Sequence, residues 1–299
     1  MFGLPDELTP SFLARLEKLR IRTRLQYAGM GRGMHLSPKR GSSLEFSDFR
    51  QYSPGDDFRY IDWGLYGRTD KLYIKLFQEE EDLLTYVFVD ASASMAFPAG
   101  DRKFDSAIMT ALSVAYVALA SGDRVMLRIL GGTGAALNPA FVYGQHRIVE
   151  LARRMQALKP SGQFDFATAL AHELVAIRRV GKVFIISDFL MLLNSITRGL
   201  GLFTAASMDL TAVQILGGRE INGQGLDGDL EIVDSESGER LRVSIGERER
   251  AQYRETMMRL TREIKSFCFK RGLHYSLYTT DTDFQKFFLR AASDLGLAH

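Results

Sequence analysis

Asp90, Ser92 and Ser94 stand at alternate positions in the stretch LLTYVFVDASASM, residues 83–95. Alternate side chains of an extended segment face the same way, so one carboxylate and two hydroxyls can converge on a common point. Hard oxygen donors in that small number suit magnesium, which takes octahedral oxygen ligands at about 2.1 Å and keeps several waters. The competing reading of the same residues is a serine-rich turn leading into the next helix. A second carboxylate, Asp188, closes the run VFIISD at residues 183–188. A third, Asp165, lies in SGQFDF at 161–166, where it either binds a metal, directly or through water, or caps the helix that follows.

Two buried strands would position these groups. Leu83–Val89 and Val183–Ser187 are short apolar runs, the pattern of strands covered on both faces in a parallel sheet. Asp90 and Asp188 then fall at carboxyl ends of strands, outside which open α/β sheets bind their ligands. Ala107–Ala120 is expected to be a buried helix on that sheet. Helices are further expected over 167–179, 194–207, 247–271 and 283–295, with strands over 210–216 and 274–279. Alternation around Ser235–Gly238 suggests a β-hairpin insertion near 229–244. The fold class is therefore α/β: a Rossmann-like, mostly parallel sheet flanked by helices. The expected organisation is a 1–80 extension wrapping an 81–299 main domain. That extension opens with a basic helix over Ser11–Tyr27 and continues as a loop and β-rich segment, anchored to the core by Trp63.

Composition narrows the function. Among 299 residues the net charge is only +2, so there is no global case for nucleic acid. The charge is uneven: from Arg15 to Arg40 eight lysines or arginines face one acid, Glu17. No aromatic platform or groove-reading motif accompanies them, so a solvated or protein-docking face is the stronger reading and nucleic acid a minor alternative. One cysteine, Cys268, rules out an internal disulfide or a cysteine zinc site. No apolar run reaches the roughly 18 to 20 residues of a membrane helix, and no signal-peptide pattern opens the chain, so a cytoplasmic protein is expected. The histidines (His35, His146, His172, His274, His299) have no metal-ligand spacing, and neither a P-loop nor a G-x-S-x-G turn is present. A metal-dependent hydrolase using Asp90 is the enzymatic alternative. A phosphoryl-transfer site of the D-x-D type, however, would need an acid where Ser92 stands.

Between Glu45 and Trp63 charges and aromatics alternate around Ser53-Pro54-Gly55-Asp56, strong turn chemistry. Arg50, Arg59 and Arg68 are expected to pair with Glu45, Asp57 and Asp62. The order of the three acidic loops resembles the von Willebrand factor A domain with its metal-ion-dependent adhesion site. GSSLEFSDFRQYSPGDDFRYIDW at 41–63, followed by DASASM and ISDF, resembles more closely the domain-of-unknown-function family 58, from about residue 33 to 283. The resemblance implies a von Willebrand factor A-like fold and a magnesium or manganese site at Asp90, Ser92, Ser94 and Asp188, with Asp165 beside them. It also implies a non-catalytic adapter role beside a MoxR-type AAA+ ATPase, in assembling or activating a client protein complex. One departure stands out: relatives carry Gly-x-Thr-Asp in the middle loop, whereas this chain has Gly162-Gln163-Phe164-Asp165. Phe164 cannot coordinate a metal, which implies weaker binding.

Overall fold

The computed structural model of the chain describes residues 4–23, 44–79, 83–133, 140–225, 228–233 and 240–298. The first part runs α1 (Pro10–Leu16), β1 (Arg20–Ile21), β2 (Leu44–Gln51), α2 (Trp63–Thr69), β3 (Tyr73–Glu79), β4 (Leu84–Asp90), α3 (Lys103–Ala120), β5 (Arg124–Leu130) and α4 (Ile148–Gln156). It continues with α5 (Phe166–Ala176), β6 (Lys182–Ser187), α6 (Leu193–Ala205), β7 (Asp209–Leu216), α7 (Gly218–Asn222), β8 (Gly228–Val233) and β9 (Arg240–Ile245). The chain ends with α8 (Glu247–Lys270), β10 (His274–Thr279), α9 (Phe284–Arg290) and β11 (Leu297–Ala298).

A five-stranded sheet of order β10-β7-β6-β4-β5, parallel throughout, forms the centre. Every residue of β4, β6 and β7 is buried, as the continuous apolar runs require. Alternate residues serve opposite faces. Val87, Val89, Phe184, Ile186 and Val213 pack with α1, α3, α4 and α9, whereas Tyr86, Phe88, Val183, Ile185 and Ala212 pack with α5, α6 and α8. This is the expected Rossmann-like α/β arrangement, a parallel sheet flanked by helices. The chain reverses its direction of travel across the sheet between β4 and β6, so the switch-point crevice opens at the ends of those two strands.

Helix α3 has the length and hydropathy of a membrane span, yet 89% of it is buried within the protein, against β4, α4 and α1. It is the expected core helix. The β8–β9 hairpin pairs antiparallel from Gly228↔Ile245 to Val233↔Arg240; its turn lies outside the described residues.

Contacts divide the chain into residues 1–25 with 83–299, and residues 26–82. The first helix thus falls in the unit that holds the sheet, while the other unit ends at residue 82, close to the expected boundary at residue 80. Phe12, Leu13, Leu16 and Leu19 are each at most 4% exposed in the core of the main unit. The helix also stops at Leu16, short of Tyr27, because Leu19 turns inward and Arg20–Ile21 pair antiparallel with Leu297–Ala298. Of the basic run, Arg24, Arg32, Lys39 and Arg40 fall outside the described residues, as does His35. Helix α9 likewise ends at Arg290, and Leu295 is buried beyond it.

The second unit is a β2–β3 antiparallel pair, bulged between Phe46 and Asp48, carrying a short 3-10 turn and α2. The Ser53–Asp56 turn closes as expected, with Asp56 N donating to Ser53 O at 3.0 Å and Gly55 at φ +106°. The ion pairs differ in part from expectation. Arg59 does meet Asp57, at 2.6 Å, but Arg50 pairs with Asp56 at 2.8 Å and Lys75 with Asp62 at 3.2 Å. Arg68 instead donates to Gly64 O, one helical turn back. Trp63, expected to anchor the segment, is 64% exposed, with its ring edge-on to Tyr66 at 6.2 Å. Asp62 caps α2 by accepting from Leu65 N, which sets Trp63 at the first helical position.

Candidate functional site

Asp90 is the last residue of β4 and is wholly buried. Its Oδ1 accepts from Ser92 N at 2.8 Å, and its Oδ2 from the Ser187 hydroxyl, at the end of β6, at 2.6 Å. The Ser92 and Ser94 hydroxyls lie 3.0 Å apart. Backbone bonds lace the first and middle loops together: Ser161 N donates to Ala91 O at 2.9 Å and Ala93 N to Gly162 O at 3.0 Å. The alternate spacing of Asp90, Ser92 and Ser94 therefore delivers one polar cluster at the switch point.

Asp188 joins this cluster from the end of β6, fully buried beside Asp90. Burial first, and the Asp188 charge second, push the Asp90 carboxyl up from 3.8 to about 6. Asp188 Oδ2 accepts from Lys103 Nζ at 2.9 Å, and the same ammonium reaches Glu220 Oε1 at 2.9 Å. Lys103 is 1% exposed. Burial opposes its charge, but the two carboxylates outweigh that and hold its pKa above the ordinary value. Glu220 in turn accepts from Gly217 N at 3.1 Å, tying the ammonium to the start of α7.

Asp165 is not part of the gathering. Its Oδ1 accepts from Thr168 N at 2.8 Å as the cap of α5, and its Oδ2 from the Ser195 hydroxyl at 3.4 Å. Hydrogen bonds from Thr168 hold its pKa below the usual carboxylate value. The capping alternative is the one observed. Phe164 is half-buried among the apolar residues on the α5 and α6 side of the sheet. Its ring leaves so little room that a Cβ on Gly131, itself at φ +73°, would come within 2.8 Å of it.

Among the described residues no three His, Cys, Asp or Glu side chains form a metal-binding group, so any ion here must draw on hydroxyls as well. Asp90, Ser92, Ser94 and Asp188 supply two carboxylates and two hydroxyls, all hard oxygen donors. Two adjacent buried carboxylates, one with a raised pKa, form the environment a divalent cation would relieve. Such a donor set would suit magnesium or manganese.

Lys103, Glu220 and Ser187 were not legible as site residues. A lysine at the start of a largely buried 18-residue helix was the available signal, because a charge on a buried helix needs a partner. Nothing in the local sequence marks Glu220, which is separated from Lys103 by 117 residues.

The chain is 31% identical over 234 residues to the uncharacterized protein Rv1480 of Mycobacterium tuberculosis, covering 77% of this chain and 72% of that protein. Among solved structures it is similar to the conserved hypothetical protein BatB of Bacteroides thetaiotaomicron, at 12% identity and TM-score 0.43, covering 71% of this chain and 98% of that one. It is also similar to an aerotolerance-related membrane protein of Bacteroides fragilis, at 13% identity and TM-score 0.34, covering 62% and 99%. Residues 48–264 match the family described as "Protein of unknown function DUF58", and on that span together with the mycobacterial identity the chain belongs to the DUF58 family.

Proposed function

We propose that this chain is a non-catalytic, cytoplasmic adapter that captures a protein partner at the Asp90, Ser92, Ser94 and Asp188 face, acting beside a MoxR-type AAA+ ATPase on a client complex. The observation that carries the reading is the juxtaposition of Asp90 and Asp188 at the ends of neighbouring strands with a single buried ammonium nearby. Asp90, Asp188 and Glu220 against Lys103 leave two negative charges uncompensated when all are ionised. A bound magnesium or manganese ion would offset that charge and offer an open coordination position to a partner's carboxylate. Asp90 and Asp188 hold the charge, Ser92 and Ser94 supply neutral donors, and Lys103 fixes Asp188 in place.

A hydrolase built on Asp90 is the second reading, favoured by a carboxyl that titrates near neutrality. Against it, Asp90 is fully buried and both its oxygens already accept hydrogen bonds. The two are separated by a capture experiment with tagged wild type, Asp90→Ala and Ser94→Ala, each in magnesium and in chelator, alongside phosphate-ester turnover. Magnesium-dependent capture of an AAA+ ATPase, lost in both variants without turnover by any, is the expected result. Equal capture in every condition would sink the adapter reading of this face.

A further inference from the structure

The opposite side of the helical layer carries an open groove of about 660 Å³. Helices α5, α6 and α8 each precede a strand of the parallel sheet, so all three run the same way and lie side by side. The floor is made of small residues one turn apart: Ala167 and Ala171 on α5, Gly201 and Ala205 on α6. Leu202 and Phe267 wall it. No acid lines it, and two exposed arginines do. Arg198 stands midway along α6, at the N-terminal limit of the α6 residues that line the trough, and Arg271 lies just past the end of α8, level with the other end of that lining. The Arg271 guanidinium lies over the Phe267 ring at 4.7 Å, and the Arg198 charge reaches the Asp165 carboxyl at the start of α5, where it is the weakest of the causes that lower its pKa.

We infer that this groove is a docking site for an acidic amphipathic helix of a partner protein. The walls are helices and offer no strand edge, so an extended peptide would gain no backbone pairing. Small residues at one-turn intervals let a helix backbone approach closely, as ridges pack into grooves. From Arg198 to Ala205 the trough is about 10 Å long at about 1.5 Å per residue, two helical turns. A docking helix with two acids seven positions apart would present one carboxylate to each guanidinium, and each contact would be charge-assisted.

The test uses the full chain and a fluorescein-labelled 15-residue alanine-leucine helix with glutamates at positions 4 and 11, and its lysine counterpart. The glutamate peptide should bind at least about tenfold more tightly, a difference of about 1.4 kcal/mol. A Cβ added at Gly201 meets nothing within 4 Å, so Gly201→Leu should melt no lower than wild type while weakening the glutamate peptide at least about tenfold. The double variant Arg198→Glu with Arg271→Glu should reverse the preference between the peptides. Equal affinity for both peptides, binding indifferent to Gly201→Leu, or no binding of either would overturn the proposal. So would a wild-type dimer in sedimentation that Gly201→Leu dissociates, since that would assign the groove to a second copy.

Discussion

Lys103 sets the electrostatics of the switch point, because among the described residues its ammonium is the cation that pairs with both Asp188 and Glu220. Removing one partner of a buried ion cluster leaves the others desolvated and unpaired, at a cost of about 3–5 kcal/mol. Lys103→Met, which keeps the aliphatic stem, should lose stability on that scale in urea unfolding, and adding Glu220→Gln should restore part of it. A variant as stable as wild type would show that the cluster is not held by this charge. Asp90 gives a signed pH dependence. Its carboxyl rises from 3.8 to about 6 on folding, so the folded chain binds this proton more tightly than the unfolded chain. The associated stability is full below pH 4 and is lost as pH rises through about 6; two units correspond to about 3 kcal/mol. In chelator, Asp90→Asn should therefore gain on wild type between pH 4 and pH 7, measured as the difference of the two unfolding free energies. A difference that does not change with pH would mean Asp90 carries no such strain.

At the scale of the element, the middle loop has two separate tasks. Asp165 starts α5 and Phe164 seals the space beside Gly131. Asp165→Ala should cost about 1 kcal/mol as a lost helix cap and leave magnesium affinity unchanged in calorimetry. A loss of affinity would return Asp165 to the ligand set. Phe164→Thr puts a hydroxyl where the family resemblance implies one. It should tighten magnesium while destabilising the fold by about 1–3 kcal/mol, since a half-buried aromatic is exchanged for a smaller side chain.

At the scale of the whole molecule, residues 8–19 close the core that the sheet and its helices build. Phe12, Leu13, Leu16 and Leu19 are each buried, worth roughly 1.5–3 kcal/mol apiece, a sum comparable with the total stability of a domain. A chain beginning at residue 24 should lose its cooperative thermal transition in calorimetry, whereas an unchanged transition would show the helix to be an accessory. Much of this architecture was determined by sequence alone. The apolar runs before Asp90 and Asp188 state two doubly covered strands, and alternate spacing states that Asp90, Ser92 and Ser94 converge, because both are local periodicities of the backbone. The Glu45–Trp63 string identified the family for a different reason: its residues are specific even though Arg50 and Asp62 take partners other than those expected. Only the tertiary structure decided that Lys103 and Glu220 meet across 117 positions, that the first helix belongs to the sheet, and that Asp165 caps α5 instead of joining the cluster. Those outcomes depend on which surfaces remain to be buried and which charges remain to be paired once the strands align, and no local pattern encodes either.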